Sequence, residues 1–214
     1  RRCTIRSIDD RNPIPVPMMT LEFHCASDTG RARNNNEDSA VIDEATSLVV
    51  LADGMGGYNA GEVASGMCTA FIQTELGRWL AEASESATDT DVRRAMDICV
   101  DNANRAIFNA ANSNPQYAGM GTTLVVGVFR DNRLLLGHVG DSRCYRQRSG
   151  RLAQITHDHS LLQEQIAAGL ITAEQAAFSS NKNLLTRAVV VEGTVLPETH
   201  LHDVMPGALY LTCP

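Results

Sequence analysis

Hydrophobic and polar positions change their spacing several times along the chain, and each spacing predicts a different element. Apolar runs bounded by turn residues predict strands at 20–26, 40–43 and 47–52, with the last two forming a hairpin. Apolar residues then recur at steps of three and four over 61–80 and 90–111. This spacing predicts two helices that each bury one face.

Short strands return after the second helix, separated by turn signals at Asp131-Asn132, Gly140-Asp141 and Ser149-Gly150. The predicted strands are 122–129, 134–139, 144–147, 152–154 and 208–213. The segment 157–178 regains helical spacing but is less apolar. Strands, two helices, further strands and a small helical insert predict the α+β class, because regular βαβ units would alternate strand and helix throughout.

The chain has 214 residues, 43% of them hydrophobic, which is enough to bury one substantial core. Pro13, Pro15 and Pro17 predict an extended arm over 1–19, so the single domain is expected to span 20–214. No apolar stretch is long enough to cross a membrane, and the N-terminal residues lack the apolar core of a secretory signal.

The formal net charge of −7 argues against nucleic acid or an anionic membrane as the main partner, because both bind basic surfaces. The six cysteines are scattered along the chain without a Cys-x-x-Cys pair. They are therefore expected to be reduced thiols in a cytoplasmic protein.

Acidic residues stand at the ends of three predicted strands. Glu37 and Asp38 enter the strand at 40–43, Asp53 follows the buried run at 48–52, and Asp141 follows the strand at 134–139. Taken alone, the first pair also fits a solvated polar loop. Asp53-Gly54 also fits a simple turn, although the residues after it lead into a helix and not into a return strand.

Carboxylates gathered at one edge of a sheet repel each other unless cations hold them, and oxygen ligands suit Mg²⁺ or Mn²⁺. Gly54 would let a backbone carbonyl approach an ion closely, because no Cβ intervenes. Paired divalent ions activate water against a phosphoryl group, and an arginine such as Arg31 or Arg33 could bind the phosphate oxygens.

Other kinds of site fit the sequence poorly. Gly54-x-Gly56 lacks the third glycine of a dinucleotide fingerprint, and no phosphate-binding Gly-Lys-Ser/Thr follows it. The pairs His157-x-His159 and His200-x-His202 lack cysteine partners at zinc-ligand spacing, so polar surface or loop positions are expected for them. Ser160 and Cys213 have no identifiable base, which leaves nucleophilic catalysis unsupported.

The chain resembles the metal-dependent protein Ser/Thr phosphatases of type 2C, the PPM family, in their compact bacterial form. The similarity runs in family order from about residue 21 to 214. The matching stretches are SDTGRARNNNEDS, LADGMGGYNAGEVAS, GMGTTLVVGVFRDNRLLLGHVGDSRCYRQRSGRLAQITHDHSL and NLLTRA. The resemblance implies a four-layer α-β-β-α sandwich of two antiparallel sheets flanked by helices.

The resemblance also implies a centre of two Mn²⁺ or Mg²⁺ ions, with a third, weaker ion. By motif match, Asp53 would bridge the two metals, Gly54 would offer its carbonyl, and Glu37 and Asp38 would hold metal-bound waters. Arg33 stands where the family's phosphate-binding arginine lies. Asp141 matches the acid of the third ion, and residues 157–187, called the flap segment below, match the family's flap.

The chain departs from the family's pattern at two points. Met55 follows Asp53-Gly54, where some members carry a histidine proposed as general acid, so a water or another group would protonate the leaving oxygen. By the family's pattern, the sequence also stops at Pro214 one residue before an SDG-type motif and well before a G-x-D-N motif. Both motifs supply metal aspartates in the family, so the chain is expected to be C-terminally incomplete.

The resemblance implies an enzyme that hydrolyses phosphoserine and phosphothreonine in proteins by direct attack of a metal-bound water. Its expected partners are phosphorylated Ser/Thr proteins, including a Ser/Thr protein kinase or its substrates, and it is expected to be a monomer. The alternative hypothesis is a catalytically inactive phosphatase-like domain that binds phosphoproteins or a regulatory partner.

Overall fold

The computed structural model describes residues 2–8 as backbone alone, and 19–31, 35–56, 60–83, 86–179, 181, 184–190 and 193–214. Eleven strands lie within these residues: β1 (Arg2–Ile8), β2 (Thr20–Ala26), β3 (Asp38–Asp43), β4 (Leu48–Met55), β5 (Gly121–Thr122), β6 (Leu124–Arg130), β7 (Arg133–Val139), β8 (Arg143–Arg148), β9 (Arg151–Gln154), β10 (Glu198–Asp203) and β11 (Leu209–Cys213). The helices are α1 (Ala60–Glu82), α2 (Asp89–Ser113), α3 (Leu161–Ala167) and α4 (Ala173–Ala177).

The strands form two antiparallel sheets. One has the order β10-β7-β6-β4-β3, with the short β5 paired to the end of β4, and the other has the order β2-β1-β11-β8-β9. The hairpin turn at Asp131-Asn132 has positive φ at both residues, as the predicted turn signal requires. This hairpin joins β6 to β7, and β7 leads to Asp141.

Strand β4 is buried on both faces, which explains its continuous apolar run. Leu48, Val50 and Ala52 pack into a core shared with α1 and α2, whereas Val49 and Leu51 pack into a second core against the other sheet. The strand is therefore held from both sides up to the acidic residue that follows Ala52.

The two long helices both pack on the sheet that contains β4. Helix α2 begins at a capping box. The Thr88 side chain accepts the Asp91 backbone N–H, and the Asp91 side chain accepts the Thr88 backbone N–H. Asn59, whose spacing to Glu62 suggests a similar box at the start of α1, lies outside the described residues. In the described part of the chain, every helix longer than seven residues covers this one sheet.

The α+β class with two antiparallel sheets and flanking helices is confirmed. Four details differ from the sequence prediction. Strand β4 continues through Asp53 and Gly54, the helical segment 157–178 divides into α3 and α4, β10 is an additional strand, and the segment expected to be an extended arm contains β1. The boundary of the domain at residue 20 remains a prediction.

The five cysteines whose side chains are described are free thiols, as the sequence predicts. Within the described residues, no helix is both long enough and apolar enough to cross a membrane.

Candidate metal centre

Two acidic residues face each other where β3 begins and β4 ends. Asp38 is the first residue of β3 and is the register partner of Asp53 in β4. Directly opposed residues of an antiparallel pair have Cβ atoms about 4.5–5.5 Å apart, so two carboxylates there repel unless a cation lies between them. The hairpin thus brings together two acids that are 15 positions apart in the sequence.

The backbone of β4 touches the first turn of α1 beside this pair. A Cβ on Gly54 would lie 2.0 Å from the carbonyl oxygen of Gly61, and one on Gly61 would lie 2.7 Å from a carboxylate oxygen of Glu37. The Gly54 N–H also donates to the Glu37 carbonyl at 3.0 Å. The carboxylate of Glu37 therefore lies against the N-terminal turn of α1, where the helix dipole favours negative charge.

Threonine residues hold Asp53 from the opposite side. The Thr123 N–H donates to the Asp53 carbonyl at 2.9 Å, and the Asp53 N–H donates to the Thr123 hydroxyl at 3.1 Å. The Thr122 hydroxyl adds a bond of 2.9 Å to the same carbonyl. These contacts fix the backbone of Asp53 at the end of β4.

Thr123 also joins Asp53 to the loop that carries Asp141. The hydroxyl groups of Thr123 and Ser142 lie 2.6 Å apart, and Leu124 pairs with Val139 at the end of β7. The sheet therefore places Asp38, Asp53 and Asp141 at one end, as the sequence pattern predicts.

The environment of Asp141 disfavours its negative charge. Burial raises the pKa of its carboxyl group, and the nearby carboxylate of Asp158 raises that pKa further. Asp158 is itself held by Arg143, whose Nε–H is shared between the two carboxylate oxygens at 3.0 and 2.9 Å and whose Nη2 donates to one of them at 2.5 Å. A cation beside Asp141 would oppose this shift, because opposite charge favours the ionised form.

The residues present fit a site for hard divalent cations. The donors are carboxylates and a backbone carbonyl, and Gly54 and Gly61 let the start of α1 approach β4 closely enough to bring the Glu37 carboxylate beside them. No thiol belongs to the set that the sequence predicts. The roles of Glu37, Asp38, Asp53, Gly54 and Asp141 as ligands remain a prediction, although the fold gathers the positions.

The predicted phosphate-binding residue, Arg33, lies outside the described residues. Its neighbour Arg31 is exposed. Met55, which replaces the histidine of some family members, is the last residue of β4 and pairs with Gly121. The structure therefore describes the acidic half of the candidate site.

A histidine cluster beside the site was not predicted. The rings of His138 and His159 stack with centroids 4.7 Å apart, and Glu198 bonds the His159 Nε2 at 3.0 Å. His159 lies in a loop, as one of the two expected alternatives has it, but is only 6% exposed, whereas His157 and His200 are exposed. The sequence gives no sign of this cluster, because it forms only when β10 pairs with β7 and brings Glu198 opposite His138.

Burial sets the protonation of this cluster. It lowers the pKa of both His138 and His159, so these rings are neutral at pH 7. Burial pushes the pKa of Glu198 upward, but hydrogen bonds from His200 and His159 outweigh it and lower that pKa to about 2. The cluster thus contains two neutral rings, of which His159 bonds the charged carboxylate of Glu198.

Comparison with known proteins identifies relatives over most of the chain. A profile described as "Protein phosphatase 2C" matches residues 30–188. The Serine/threonine protein phosphatase PstP of Mycobacterium tuberculosis is 37% identical over 195 residues, covering 91% of this chain and 36% of that protein. The Serine/threonine phosphatase stp of Listeria welshimeri is 36% identical and covers 91% of this chain and 76% of that protein. The chain therefore spans about a third of the mycobacterial relative's length.

Solved structures agree with the fold. The Mycobacterium tuberculosis phosphatase PstP/Ppp superimposes with a TM-score of 0.77 at 37% identity, covering 88% of this chain and 76% of that one. A catalytic domain of PstP solved with two manganese ions has a TM-score of 0.70 at 32% identity, covering 98% and 76%. With its two sheets, the acids at one end of the sheet that contains β4 and this extent of sequence similarity, the chain belongs to the protein phosphatase 2C family.

Proposed function

We propose that this protein is a Mn²⁺- or Mg²⁺-dependent protein Ser/Thr phosphatase that hydrolyses phosphoserine and phosphothreonine. The observation that carries the proposal is the facing pair Asp38 and Asp53, with the Gly54–Gly61 approach beside it. Membership of the phosphatase family supports the reaction class. A related catalytic domain solved with two manganese ions supports the choice of metal.

The chain's own residues would hold the ions and the substrate. Asp53 would bridge two cations, the Gly54 carbonyl would bind one, and Glu37 and Asp38 would hold their waters. When bound, the cations would supply an activated water and neutralise the charge that develops on the phosphoryl group. Arg33 would orient the phosphate oxygens.

The remaining parts of the reaction follow from the side chains near Asp53. Met55 cannot donate a proton, so a water or another group would protonate the leaving serine or threonine oxygen. Asp141 would hold the third, weaker ion. The threonine bonds to the Asp53 backbone would keep its carboxylate in place during turnover, because misplacement of a positioned group lowers the rate steeply.

The proposed substrates are phosphorylated Ser/Thr proteins, including a Ser/Thr protein kinase or its substrates. The relatives' printed descriptions as Ser/Thr protein phosphatases support this class. We place the enzyme in the cytoplasm as a monomer. The net charge of −7 agrees with a partner that is neither nucleic acid nor an anionic membrane.

Replacing the proposed bridging carboxylate tests the function. In Asp53→Asn, we expect activity on a phosphothreonine peptide to fall about 100- to 1,000-fold, because the metals contribute several kcal/mol to the transition state. Circular dichroism should show a retained fold, and Mn²⁺ binding by calorimetry should weaken. Asp131→Asn, in a distant turn whose positive φ suits asparagine, is the matched control.

Two results would contradict the proposal. Near wild-type activity of Asp53→Asn in saturating Mn²⁺ would refute the metal assignment. Tight Mn²⁺ binding by the wild-type protein without hydrolysis of phosphoserine or phosphothreonine peptides would favour the inactive binding domain instead.

A further inference from the structure

The histidine cluster of His138, His159 and Glu198 adjoins the candidate metal centre but includes none of the proposed metal ligands. His138 and His159 are 1% and 6% exposed, and ligand atoms of these two rings and of Glu198 lie within 4.8 Å of one another. Three such groups could hold a cation or could form a hydrogen-bond network. Their partners distinguish these two possibilities.

The hydrogen bonds of His159 fix its tautomer. Its Nδ1 accepts the Gly140 N–H at 3.1 Å, so this nitrogen carries the lone pair. The proton of the neutral ring is therefore on Nε2, which donates to Glu198 at 3.0 Å. Both ring nitrogens are used by protein groups.

A cation fits this cluster poorly. Binding at the His159 Nε2 would require loss of its proton while Nδ1 still accepts from Gly140. The guanidinium of Arg187 also lies 3.4 Å from the same Nε2, which places a positive charge beside the supposed metal. The arrangement instead fits a buried network that holds a backbone segment.

The segment held is the one that carries Asp141. His159 bonds Gly140 twice, since its own N–H also donates to the Gly140 carbonyl at 2.9 Å. Gly140 has φ of +102°, and a Cβ there would lie 2.8 Å from a methyl carbon of Thr123. Gly140 is thus fixed between the ring of His159 and the threonine that bonds Asp53.

His159 belongs to the flap segment, and the C-terminal end of that segment is attached to it and to Ser160. The Thr186 N–H donates to the His159 carbonyl at 2.9 Å, and Ser160 pairs with Leu185 in an isolated bridge. Arg187 also donates to the Leu196 carbonyl. Both ends of the flap segment therefore meet at His159.

We propose that His159 is a positioning residue that fixes Asp141 through the Gly140 amide, and that Glu198 holds its ring in place. The inference rests on the proposed function, in which Asp141 binds a cation. It assigns to His159 no contact with substrate. The consequence is that changes at the base of the flap segment reach the metal centre through one residue, His159.

Two substitutions test the hydrogen bonds of Nδ1 and of Nε2 separately. In His159→Asn, the amide oxygen can replace Nδ1 and accept from Gly140, while the bond to Glu198 is lost. In His159→Gln, the amide nitrogen can replace Nε2 and bond Glu198, while the Gly140 N–H loses its acceptor. We expect His159→Gln to speed hydrogen exchange of the Gly140 amide about 10- to 100-fold, and His159→Asn to keep it slow.

Mn²⁺ affinity and kcat provide the second measurement. Both should fall about tenfold or more in His159→Gln and recover in His159→Asn. His200→Gln, which changes the exposed partner of Glu198, should leave Gly140 exchange unchanged. Nitrogen NMR of wild-type His159 should show the proton on Nε2.

Unchanged Gly140 exchange in His159→Gln would overturn the inference, and so would equal loss of Mn²⁺ affinity in both variants. Mn²⁺ or Zn²⁺ bound by Asp53→Asn but not by Asp53→Asn/His159→Gln would also overturn it, because the cluster would then be a metal site. The exchange measurement needs no turnover. A failure of the proposed phosphatase activity is therefore distinguishable from a failure of this positioning role.

Discussion

At Gly54 the packing of α1 against β4 leaves no room for a side chain. The nearest atoms to a Cβ there are backbone atoms of Gly61 and Glu37, which cannot rotate away. A side chain would separate α1 from β4 and displace Glu37 from the helix terminus.

The change Gly54→Ala should therefore destabilise the protein by about 1–3 kcal/mol, the usual cost of overpacking. Urea unfolding in a metal chelator measures this without any contribution from bound ions. Gly66→Ala is the matched control, because a Cβ at this position in α1 meets nothing within 4 Å and should stabilise by about 0.5–1 kcal/mol. Equal urea midpoints for Gly54→Ala and the wild type would show that the contact is not tight.

His138 should make stability fall in mild acid. Burial lowers its pKa, so below the unfolded value of about 6.5 the unfolded chain binds a proton that the folded protein excludes. Its contribution is present above about pH 6.5 and is lost as pH falls towards the folded pKa.

His138→Gln keeps a donor for the His157 carbonyl, which lies 2.7 Å from the His138 Nε2, but does not titrate. The free energy of unfolding should then fall less steeply between pH 7 and pH 5, by up to about 1.4 kcal/mol per pH unit. Measurements at pH 8 give the cost of the substitution without titration. Parallel pH curves for the two proteins would contradict the assignment.

At the scale of elements, the start of α2 depends on its capping box. The Thr88 hydroxyl accepts the Asp91 N–H, and the Asp91 carboxylate accepts the Thr88 N–H at 2.8 Å. Thr88→Ala should lower the free energy of unfolding by about 1 kcal/mol. Thr90→Ala, in the same turn but outside the box, should have a smaller effect. Chemical denaturation of both variants tests the order.

In the flap segment, helix-ending and helix-starting residues divide one predicted helix into two. One helix was predicted over 157–178, but Gly169 has φ of +71° and ends the run after α3. Thr172 and Gln175 then form a capping box that starts α4. These signals are present in the sequence, and reading them as caps would have predicted two short helices.

At the scale of the whole molecule, metal binding should stabilise the fold by mass action. With Mn²⁺ at about 100 times its Kd, the added stability is about 2.7 kcal/mol, or roughly 5–10 °C in Tm. Chelator should reverse the shift, Asp131→Asn should keep it and Asp53→Asn should lose it. An unchanged wild-type Tm across a Mn²⁺ titration would contradict a divalent site at the sheet end.

The sequence by itself determined the elements that bury a continuous face. The apolar run of β4 and the helical spacing of α1 and α2 are local patterns, because each element must cover its own apolar surface. The acids Asp38, Asp53 and Asp141 could be proposed as one site from their positions at strand ends. Turn signals such as Asp131-Asn132 gave the hairpins.

Only the tertiary structure decided which distant residues meet. Strand β10 contains a single strongly apolar residue, Leu201, so it has no strand pattern of its own and exists because it pairs with β7. That pairing places Glu198 opposite His138 and beside His159. The acidic pair required the register of β3 on β4, and the histidine cluster required the packing of the flap segment on the sheet. Spacing along the chain carries neither kind of information.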